Sequence, residues 1–360
     1  MRHPNLYPWI LLTLGLGAAA CGREAPVEGE PKAAPAAPAA LYSDQREMMG
    51  TVFSIRVLAA PRVARAAVAE AFAEMERLEE VLSEWRPTSE ISRINRAAGE
   101  RPVEVSSDSL EVVRAGIEIG RVSMGAFDMT WAALHGLYDF RPGFERIPER
   151  KEVRARLPLV DYRDVILDEE AGTVHLERAG MVLGTGGIGK GHALDRAGAI
   201  LERHGIDSYI LFGGGQVQVK GLRGDRPWRV GIQHPRRPGD HFAFFEATEG
   251  SISTSGDYER YILGPSGERL HHIIDVRTGL PSRASISATV LAPSGLHSDA
   301  LSTAAFVMGP ERALAMFERL PYPVKAVLID ADCQVFMMPG TLEELNLNVE
   351  LRDGVLPGCD

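Results

Sequence analysis

The sequence predicts an α+β fold, a single domain in which mixed sheets are flanked by helices. Residues 63–82 form an amphipathic helical pattern, with Phe72, Met75, Leu78 and Leu82 on one stripe. Several short strand-like runs follow one another with no helical pattern between them. Strict alternation of strands and helices would instead indicate a parallel sheet. Helices packed on sheets of neighbouring strands are therefore expected.

The individual elements follow from local patterns. A first strand is expected over residues 51–58, directly before the long helix. The pair Ser107 and Asp108 predicts a helix start, because both side chains are good N-terminal caps. Another helix is expected after a glycine-rich segment that ends at Gly191, and further helices over 298–308 and 310–320. The other predicted strands cover 165–167, 174–176, 209–212, 216–219, 229–232, 243–247 and 285–291, with a closing hairpin at 324–330 and 334–338.

Composition and charge narrow the class of partner. The chain has 360 residues, of which 45% are hydrophobic and 24% charged, as in ordinary globular proteins. Its formal net charge is −10. Nucleic acid is therefore excluded as a main partner, because binding to a phosphate backbone needs a basic face.

The N-terminus has the features of a targeting segment. Arg2 and His3 precede an apolar run at 9–20, which is too short to span a bilayer but suits a signal peptide over residues 1–20. Small residues then precede Cys21, as at a bacterial lipoprotein cleavage site. Lipidated Cys21 would anchor the chain at a membrane surface. The alternative is a cleaved signal peptide with an incidental cysteine.

The rest of the chain divides by composition. Residues 21–44 combine the lipidated cysteine with a flexible tether rich in alanine and proline, which has little to bury. The folded domain is expected over 45–340 and a C-terminal tail over 341–360. Cys333 and Cys359 can pair in an oxidising compartment, although Cys333 in an apolar strand also suits a buried free thiol.

The glycine-rich segment at 183–195 predicts a site for a phosphorylated ligand. Its glycines let backbone N–H groups approach an anion, and a helix N-terminus follows. Gly184 to Gly189 satisfies the dinucleotide pattern G-x-G-x-x-G, but that pattern normally opens a domain, and about half of this chain precedes it. The segment also matches most of a P-loop, with Gly191 where the magnesium-binding Ser or Thr belongs. A glycine-rich turn with an exposed lysine is the third alternative.

Asp299 and Thr303 are candidate ligands for Mg²⁺. They are four residues apart at the start of a predicted helix, so they share one face. Two protein oxygens suit Mg²⁺, which completes its shell with phosphates and water. In the alternative interpretation, Asp299 caps the helix and Thr303 packs inside.

Two histidines and an aspartate lie close together in sequence and raise the question of zinc. They are His271, His272 and Asp275. No cysteine lies near them and no Glu-x-x-His pattern is present, so zinc is disfavoured.

Taken together, these segments resemble the ApbE family, the FAD:protein FMN transferases. The resemblance covers residues 48–338 and depends on the shared order and spacing of several short motifs. These motifs are Met49-Gly-Thr51, Ser89 to Asn95, Gly125 to Asp128, Gly186 to Gly191, Gly213-Gly214, Thr254 to Tyr258, His272 to Asp275 with Thr278-Gly279, and Asp299 to Thr303.

The resemblance implies a Mg²⁺-dependent enzyme with its active cleft between two subdomains. It would move FMN from FAD to a Thr or Ser hydroxyl of an exported or membrane redox protein and release AMP. Asp299, Thr303 and the backbone carbonyl of Gly187 match metal ligands. Candidates for the base are His272 and Asp275. The positions that match FAD contacts are Met49, Trp85, Ala126, Phe127, Asp128, Gly184, Lys190 and Ile273.

The chain also departs from the family pattern. Gly184-Thr185 replaces the usual Asp-Leu, in which the aspartate contacts FAD, and Gly215 replaces an aspartate after Gly213-Gly214. Two alternatives therefore stay open beside the transferase: an FAD pyrophosphatase that gives FMN and AMP, and a non-enzymatic flavin-binding lipoprotein. In each case the expected location is a membrane-anchored lipoprotein that faces the periplasm.

Overall fold

A computed structural model describes residues 39–141 and 143–359, which belong to one compact unit. Helices and sheets are mixed within that unit, so the predicted α+β class and single domain are confirmed. The predicted cleft between two subdomains stays a prediction. The signal peptide and Cys21 lie outside the described residues. Within the described ranges, no helix has the length and apolar character needed to cross a membrane.

The elements are numbered in chain order. The α-helices are α1 (Pro61–Leu82), α2 (Glu90–Arg96), α3 (Ser107–Val122), α4 (Arg150–Arg156), α5 (Gly189–Arg203), α6 (Gly295–Met308) and α7 (Pro310–Phe317). The strands are β1 (Ala40–Met48), β2 (Thr51–Ala59), β3 (Val103–Glu104), β4 (Val165–Asp168), β5 (Thr173–Leu176), β6 (Tyr209–Gly213), β7 (Gln216–Lys220), β8 (Trp228–Gln233), β9 (His241–Ala247), β10 (Glu249–Gly256), β11 (Tyr261–Leu263), β12 (Arg269–His271), β13 (Ile274–Asp275), β14 (Leu280–Pro281), β15 (Ser287–Ala292), β16 (Lys325–Ile329), β17 (Val335–Met337) and β18 (Leu345–Leu347).

The main sheet has the order β1-β2-β6-β7-β10-β15-β16-β17, and each neighbouring pair is antiparallel. The sequence of β2 favours a strand, because buried Phe53, Ile55 and Val57 alternate with the less buried polar residues Ser54 and Arg56. Phe53 pairs with Gly213 of β6, and its ring fills the space that a side chain at Gly213 would take.

The two faces of this sheet are covered differently. Helices α1, α5 and α6 pack on one face, and the predicted stripe of α1 is buried there, including Phe72 and Met75. The other face packs against the small sheet β18-β9-β8 through side chains such as Trp228, Phe242 and Phe245. The sheet therefore lies between a helical layer and a second layer of strands.

The structure moves both predicted domain boundaries outward. Strand β1 begins at Ala40, inside the predicted tether, and pairs with β2 along its whole length. At the other end, β18 pairs with β9, and Cys359 forms a disulfide with Cys333. The predicted tail is thus part of the fold, and the free-thiol interpretation of Cys333 is wrong. Both cysteines are buried in the same apolar cluster, with their Cα atoms 5.8 Å apart.

Strand β10 is the main element that the sequence patterns missed. Its sequence contains two glycines and only one large apolar residue, Ile252, so it was not among the predicted strands. The strand instead lies between β7 and β15. Ser251 and Ser253 are buried on the side that carries α6, while Ile252 joins the opposite apolar cluster. Small side chains there allow the helix to approach the sheet closely.

Candidate functional site

The N-termini of helices α5 and α6 cross at two glycines. A Cβ atom built on Gly191 would lie 2.0 Å from the carbonyl oxygen of Gly295. A Cβ on Gly295 would lie 2.4 Å from the carbonyl oxygen of Gly191. Because backbone atoms are the obstacle, only glycine permits this approach at either position.

Each helix provides a carboxylate that caps the other. Asp195 of α5 accepts hydrogen bonds from the N–H groups of Gly295 (2.7 Å) and Leu296 (2.9 Å). Asp299 of α6 accepts one from the N–H of Gly191 (3.1 Å) through Oδ2. Free N–H groups and the positive end of a helix both favour an anion at this place. The predicted cap by Asp299 on its own helix is wrong, because Ser294 caps α6 and Asp299 binds an N–H of the neighbouring helix instead.

Burial makes both carboxylates costly to ionise. It raises the pKa of Asp195 to about 6, against the opposing effect of its two backbone hydrogen bonds. It also raises the pKa of Asp299, and there the charge of Lys190 and the N–H of Gly191 oppose the shift. A cation near Asp299 would therefore bind to an anion that few protein groups neutralise.

Lys190 and Gly187 complete the group around Asp299. The Nζ atom of Lys190 lies 3.8 Å from Asp299 Oδ2 and donates to the carbonyl of Gly186 (2.6 Å). A side chain added at Gly187 would lie 3.6 Å from Thr303 Oγ1. The fold thus brings together the three predicted metal-site residues and the predicted phosphate-binding lysine.

The donor set around Asp299 suits Mg²⁺. Asp299 Oδ1 takes part in no hydrogen bond within the described part of the chain, and the hydroxyl of Thr303 follows one turn later on α6. Among residues 39–141 and 143–359, no three His, Cys, Asp or Glu side chains form a cluster that could hold a metal. A cation here would depend on one carboxylate and neutral oxygens, and would need ligand oxygens or water to fill its shell.

The hydroxyl group of Ser255 on β10 lies next to Thr303 and Ser302 of α6. Ser255 Oγ lies 3.4 Å from Thr303 Oγ1 and 2.9 Å from Ser302 Oγ. Ser302 in turn donates to the backbone carbonyl of Asp299 (2.9 Å). These bonds orient the first turns of α6 on the sheet.

Several predicted positions lie along one end of the main sheet. Met49 and Gly50 form the turn between β1 and β2, with φ values of 49° and 71°. Gly214 and Gly215 form the adjacent turn between β6 and β7, also with positive φ. The N–H of Thr254 donates to the carbonyl of Gly215 (3.2 Å), which links this edge to β10. Glycine at 215 is thus explained by turn geometry.

An aromatic surface lies on the other side of the glycine-rich segment. Trp85 is 72% exposed and stacks on His135, with ring centroids 4.7 Å apart. Trp131 meets the same histidine edge-on at 4.6 Å. Burial lowers the pKa of His135 to about 4, so its ring is neutral at neutral pH. The free face of Trp85 is available to a flat ligand ring.

The predicted flavin contacts at 126–128 are buried rather than open. Asp128 Oδ1 accepts from the N–H (2.8 Å) and hydroxyl (2.6 Å) of Thr130, and Oδ2 accepts from the N–H of Tyr162 (2.7 Å). The protein itself therefore occupies both carboxylate oxygens. Phe127 is buried, and a Cβ on Gly187 would lie 3.3 Å from its ring. Ala126 is buried beside them.

The two candidate bases differ in their partners. His272 Nδ1 lies 3.3 Å from the carbonyl oxygen of Arg260, and burial lowers its pKa to about 4, with Lys190 among the smaller causes. Asp275 is held by the Arg277 side chain through bonds of 2.8 and 2.9 Å. Within the described residues no hydrogen bond or ion pair joins Asp275 to Asp299 or Lys190. Neighbouring Ile273 is buried, with its carbonyl accepting from Ser282.

Sequence reasoning missed three polar residues of this site: Glu84, Asp195 and Ser255. The signal for Asp195 was present, because both helices carry Gly-x-x-x-Asp near their N-termini, at 191–195 and at 295–299. Ser255 was hidden by the unrecognised strand. Glu84 lies two residues after the end of α1, and no local pattern marks it.

Comparisons with known proteins show which proteins this chain is similar to. The pattern described as the ApbE family matches residues 49–328. The FAD:protein FMN transferase of Vibrio cholerae is 32% identical over 298 residues, which cover 78% of this chain and 85% of the relative. That of Treponema pallidum is 32% identical over 326 residues, which cover 85% and 89%.

Solved structures are similar over the same region. The ApbE protein of Thermotoga maritima superposes with a TM-score of 0.78 at 28% identity, over 85% of this chain and 99% of that one. The flavin transferase ApbE of Vibrio cholerae gives 0.75 at 28% identity, over 85% and 100%.

The helix crossing predicts a sharp difference between two glycines. Gly191→Ala should destabilise the fold by roughly 1–3 kcal/mol or more, because its Cβ would meet backbone atoms of α6. Gly186→Ala is the matched control, since no atom lies within 4 Å of a Cβ there. Urea denaturation would measure both. Equal midpoints for the two variants would contradict the crossing described here.

Proposed function

This chain belongs to the ApbE family, and from that membership we propose that it is an FAD:protein FMN transferase. The reaction moves FMN from FAD to a Thr or Ser hydroxyl of a protein and releases AMP. The observation that supports it most directly is the meeting of Asp299, Thr303, Gly187 and Lys190 at the crossed ends of α5 and α6.

The proposed cation is Mg²⁺, held by Asp299 Oδ1, the Thr303 hydroxyl and the Gly187 carbonyl. When bound, it would neutralise charge on the pyrophosphate and make AMP a better leaving group. Lys190, whose Nζ atom lies 3.8 Å from Asp299 Oδ2, adds a positive charge next to the proposed cation site. The glycine-rich start of α5 adds backbone N–H groups, which suit a phosphate. Phosphoryl transfer depends mainly on this kind of charge neutralisation and positioning.

His272 is the proposed general base. If its Nδ1 donates to the carbonyl of Arg260, Nε2 carries the free lone pair. A pKa near 4 leaves the ring neutral at physiological pH. His272 would take the proton of the acceptor hydroxyl while the new O–P bond forms and the P–O bond to AMP breaks. Asp275 is less suited, because Arg277 already neutralises it.

The proposed acceptor is a membrane or periplasmic redox protein, and the proposed location is a lipid anchor at a membrane that faces the periplasm. The sequence around Cys21 supports export and lipidation. The Cys333–Cys359 disulfide supports an oxidising compartment.

A cell-fractionation experiment tests the anchor. Wild-type protein should be found with membranes, and Cys21→Ser should move to the soluble fraction, because a thiol-linked lipid can no longer attach. Membrane association that survives this substitution would argue against a lipid anchor at Cys21.

Product analysis tests the reaction. The protein is incubated with FAD, Mg²⁺ and an acceptor protein that carries one reactive Thr, with the Thr→Ala acceptor as control. We expect AMP and acceptor-bound FMN in equal amounts. Free FMN with an unlabelled acceptor would indicate a pyrophosphatase instead. Flavin binding with no AMP under any metal would indicate a non-enzymatic carrier.

The metal-site residues should differ in their effect on turnover. Asp299→Ala should lower AMP release by more than about 100-fold, because a direct ligand matters more than its outer-shell partners. Thr303→Val should cost less, since water can replace one neutral oxygen. Glu311→Ala, an exposed carboxylate on α7, is the control. Unchanged AMP release by Asp299→Ala would remove the basis of the proposed cation site.

The base assignment predicts a loss of rate at unchanged flavin affinity. His272→Asn should lower kcat by about 10²–10⁴-fold and leave the Kd for FAD near the wild-type value. Asp275→Asn should change kcat little. Because the pKa of His272 is lowered, its neutral form persists from high pH down to about 4, and protonation removes the base only below that. Equal losses in the two variants would contradict this division of roles.

A further inference from the structure

Glu84 places a buried carboxylate against the glycine-rich segment. The residue follows the end of α1, and its side chain is only 6% exposed. It accepts a hydrogen bond from the backbone N–H of Thr185. Thr185 is tied to the same place a second time, because its hydroxyl donates to the carbonyl of Leu82 (2.8 Å). The segment that leads to Gly187 and Lys190 is therefore anchored to the end of α1.

The same carboxylate lies where a side chain at position 184 would begin. A Cβ on Gly184 would come within 3.3 Å of Glu84 Oε1 and 3.1 Å of Trp131 Nε1. It would also lie 2.9 Å from the Cβ of Ala132. Glu84 thus supplies a carboxylate at this place, and glycine at position 184 leaves room for it.

The electrostatic surroundings indicate that Glu84 acts on the loop. Burial raises the pKa of its carboxyl, while hydrogen bonds from Thr185 and Gly186 and the charge of Lys190 oppose that shift. On its other side, His135 Nε2 lies 3.5 Å from Oε1. The groups that stabilise the charged form of Glu84 are therefore mainly those of the glycine-rich segment.

We propose that Glu84 is a positioning residue that supplies, from the end of α1, the carboxylate which a residue at position 184 would otherwise bring to the flavin site. Its hydrogen bond with Thr185 holds the loop that leads to Gly187, beside Thr303, and to Lys190, beside Asp299. This role rests on the proposed function, since it assigns Glu84 to the binding of FAD and its cation. It also accounts for how a chain with glycine at 184 keeps an acid at this point.

Four variants test the proposal by moving the acid between the two positions. They are Glu84→Ala, Glu84→Gln, Gly184→Asp and the double variant Glu84→Ala with Gly184→Asp. Glu80→Ala removes an exposed glutamate four residues earlier and is the control. FAD affinity in the presence of Mg²⁺ is measured by flavin fluorescence, kcat by AMP release, and folding by thermal denaturation.

We expect Glu84→Ala to weaken FAD binding by about 10–100-fold with little change in melting temperature. Glu84→Gln keeps the volume and should still lose affinity, because the charge is gone. Gly184→Asp alone should weaken binding, since two carboxylates would compete for one place. Adding Gly184→Asp to Glu84→Ala should restore binding at least tenfold. Any crowding at Ala132 is common to both backgrounds, so this comparison isolates Glu84.

Two results would overturn the proposal: unchanged affinity in Glu84→Ala, or equal losses from Gly184→Asp in both backgrounds. Hydrogen exchange of the amides at 185–189 gives a readout that needs no flavin, and it should rise in Glu84→Ala but not in Glu80→Ala. If wild-type protein neither binds FAD nor releases AMP, the proposed function fails, while the exchange result still decides whether Glu84 holds the loop. Faster exchange with unaltered flavin affinity would reduce Glu84 to a structural role.

Discussion

Two helix N-termini that converge on one point should repel, since both present unpaired N–H groups and the positive end of a dipole. In this protein α5 and α6 converge at Gly191 and Gly295, so closely that a Cβ atom at either position would meet the other backbone. The reciprocal carboxylates of Asp195 and Asp299 make this arrangement stable. The rest of the candidate site depends on this crossing, because Lys190 lies in the first turn of α5, Gly187 lies just before that helix, and Thr303 follows Asp299 by one turn on α6.

The same pair of capping carboxylates concentrates negative charge in the protein interior. Asp195, Asp299 and Glu84 all have pKa values raised by burial, and Lys190 is the cation that moderates two of them. Buried anions without full neutralisation cost free energy. Under the proposed function a divalent cation would offset part of that cost at Asp299. Part of the binding free energy of the cation would then come from neutralising a buried carboxylate that is costly to ionise without it.

The departures from the family pattern have physical explanations in the structure. Gly215 lies at a positive φ in the turn between β6 and β7, where a side chain would be strained. A side chain at position 184 would be crowded by the side chains of Ala132, Trp131 and Glu84. The glycines therefore reflect how this chain packs its loops, and their presence is compatible with an intact site.

The sequence by itself determined the elements whose information is local. The stripe of α1, the helix start at Ser107, the closing hairpin of β16 and β17, and the Asp299–Thr303 spacing all follow from patterns within a few residues. The predicted capping role of Ser107 and Asp108 was wrong, because the N-cap is Ser106 and both residues lie inside the helix. Only the tertiary structure decided what depends on distant partners. Strand β10 forms because β7 and β15 supply its ladder, one oxygen of Asp128 is taken by Tyr162, and Glu84 reaches Thr185 across 101 residues of chain. Such contacts leave no trace in local spacing, since they arise where separate elements meet.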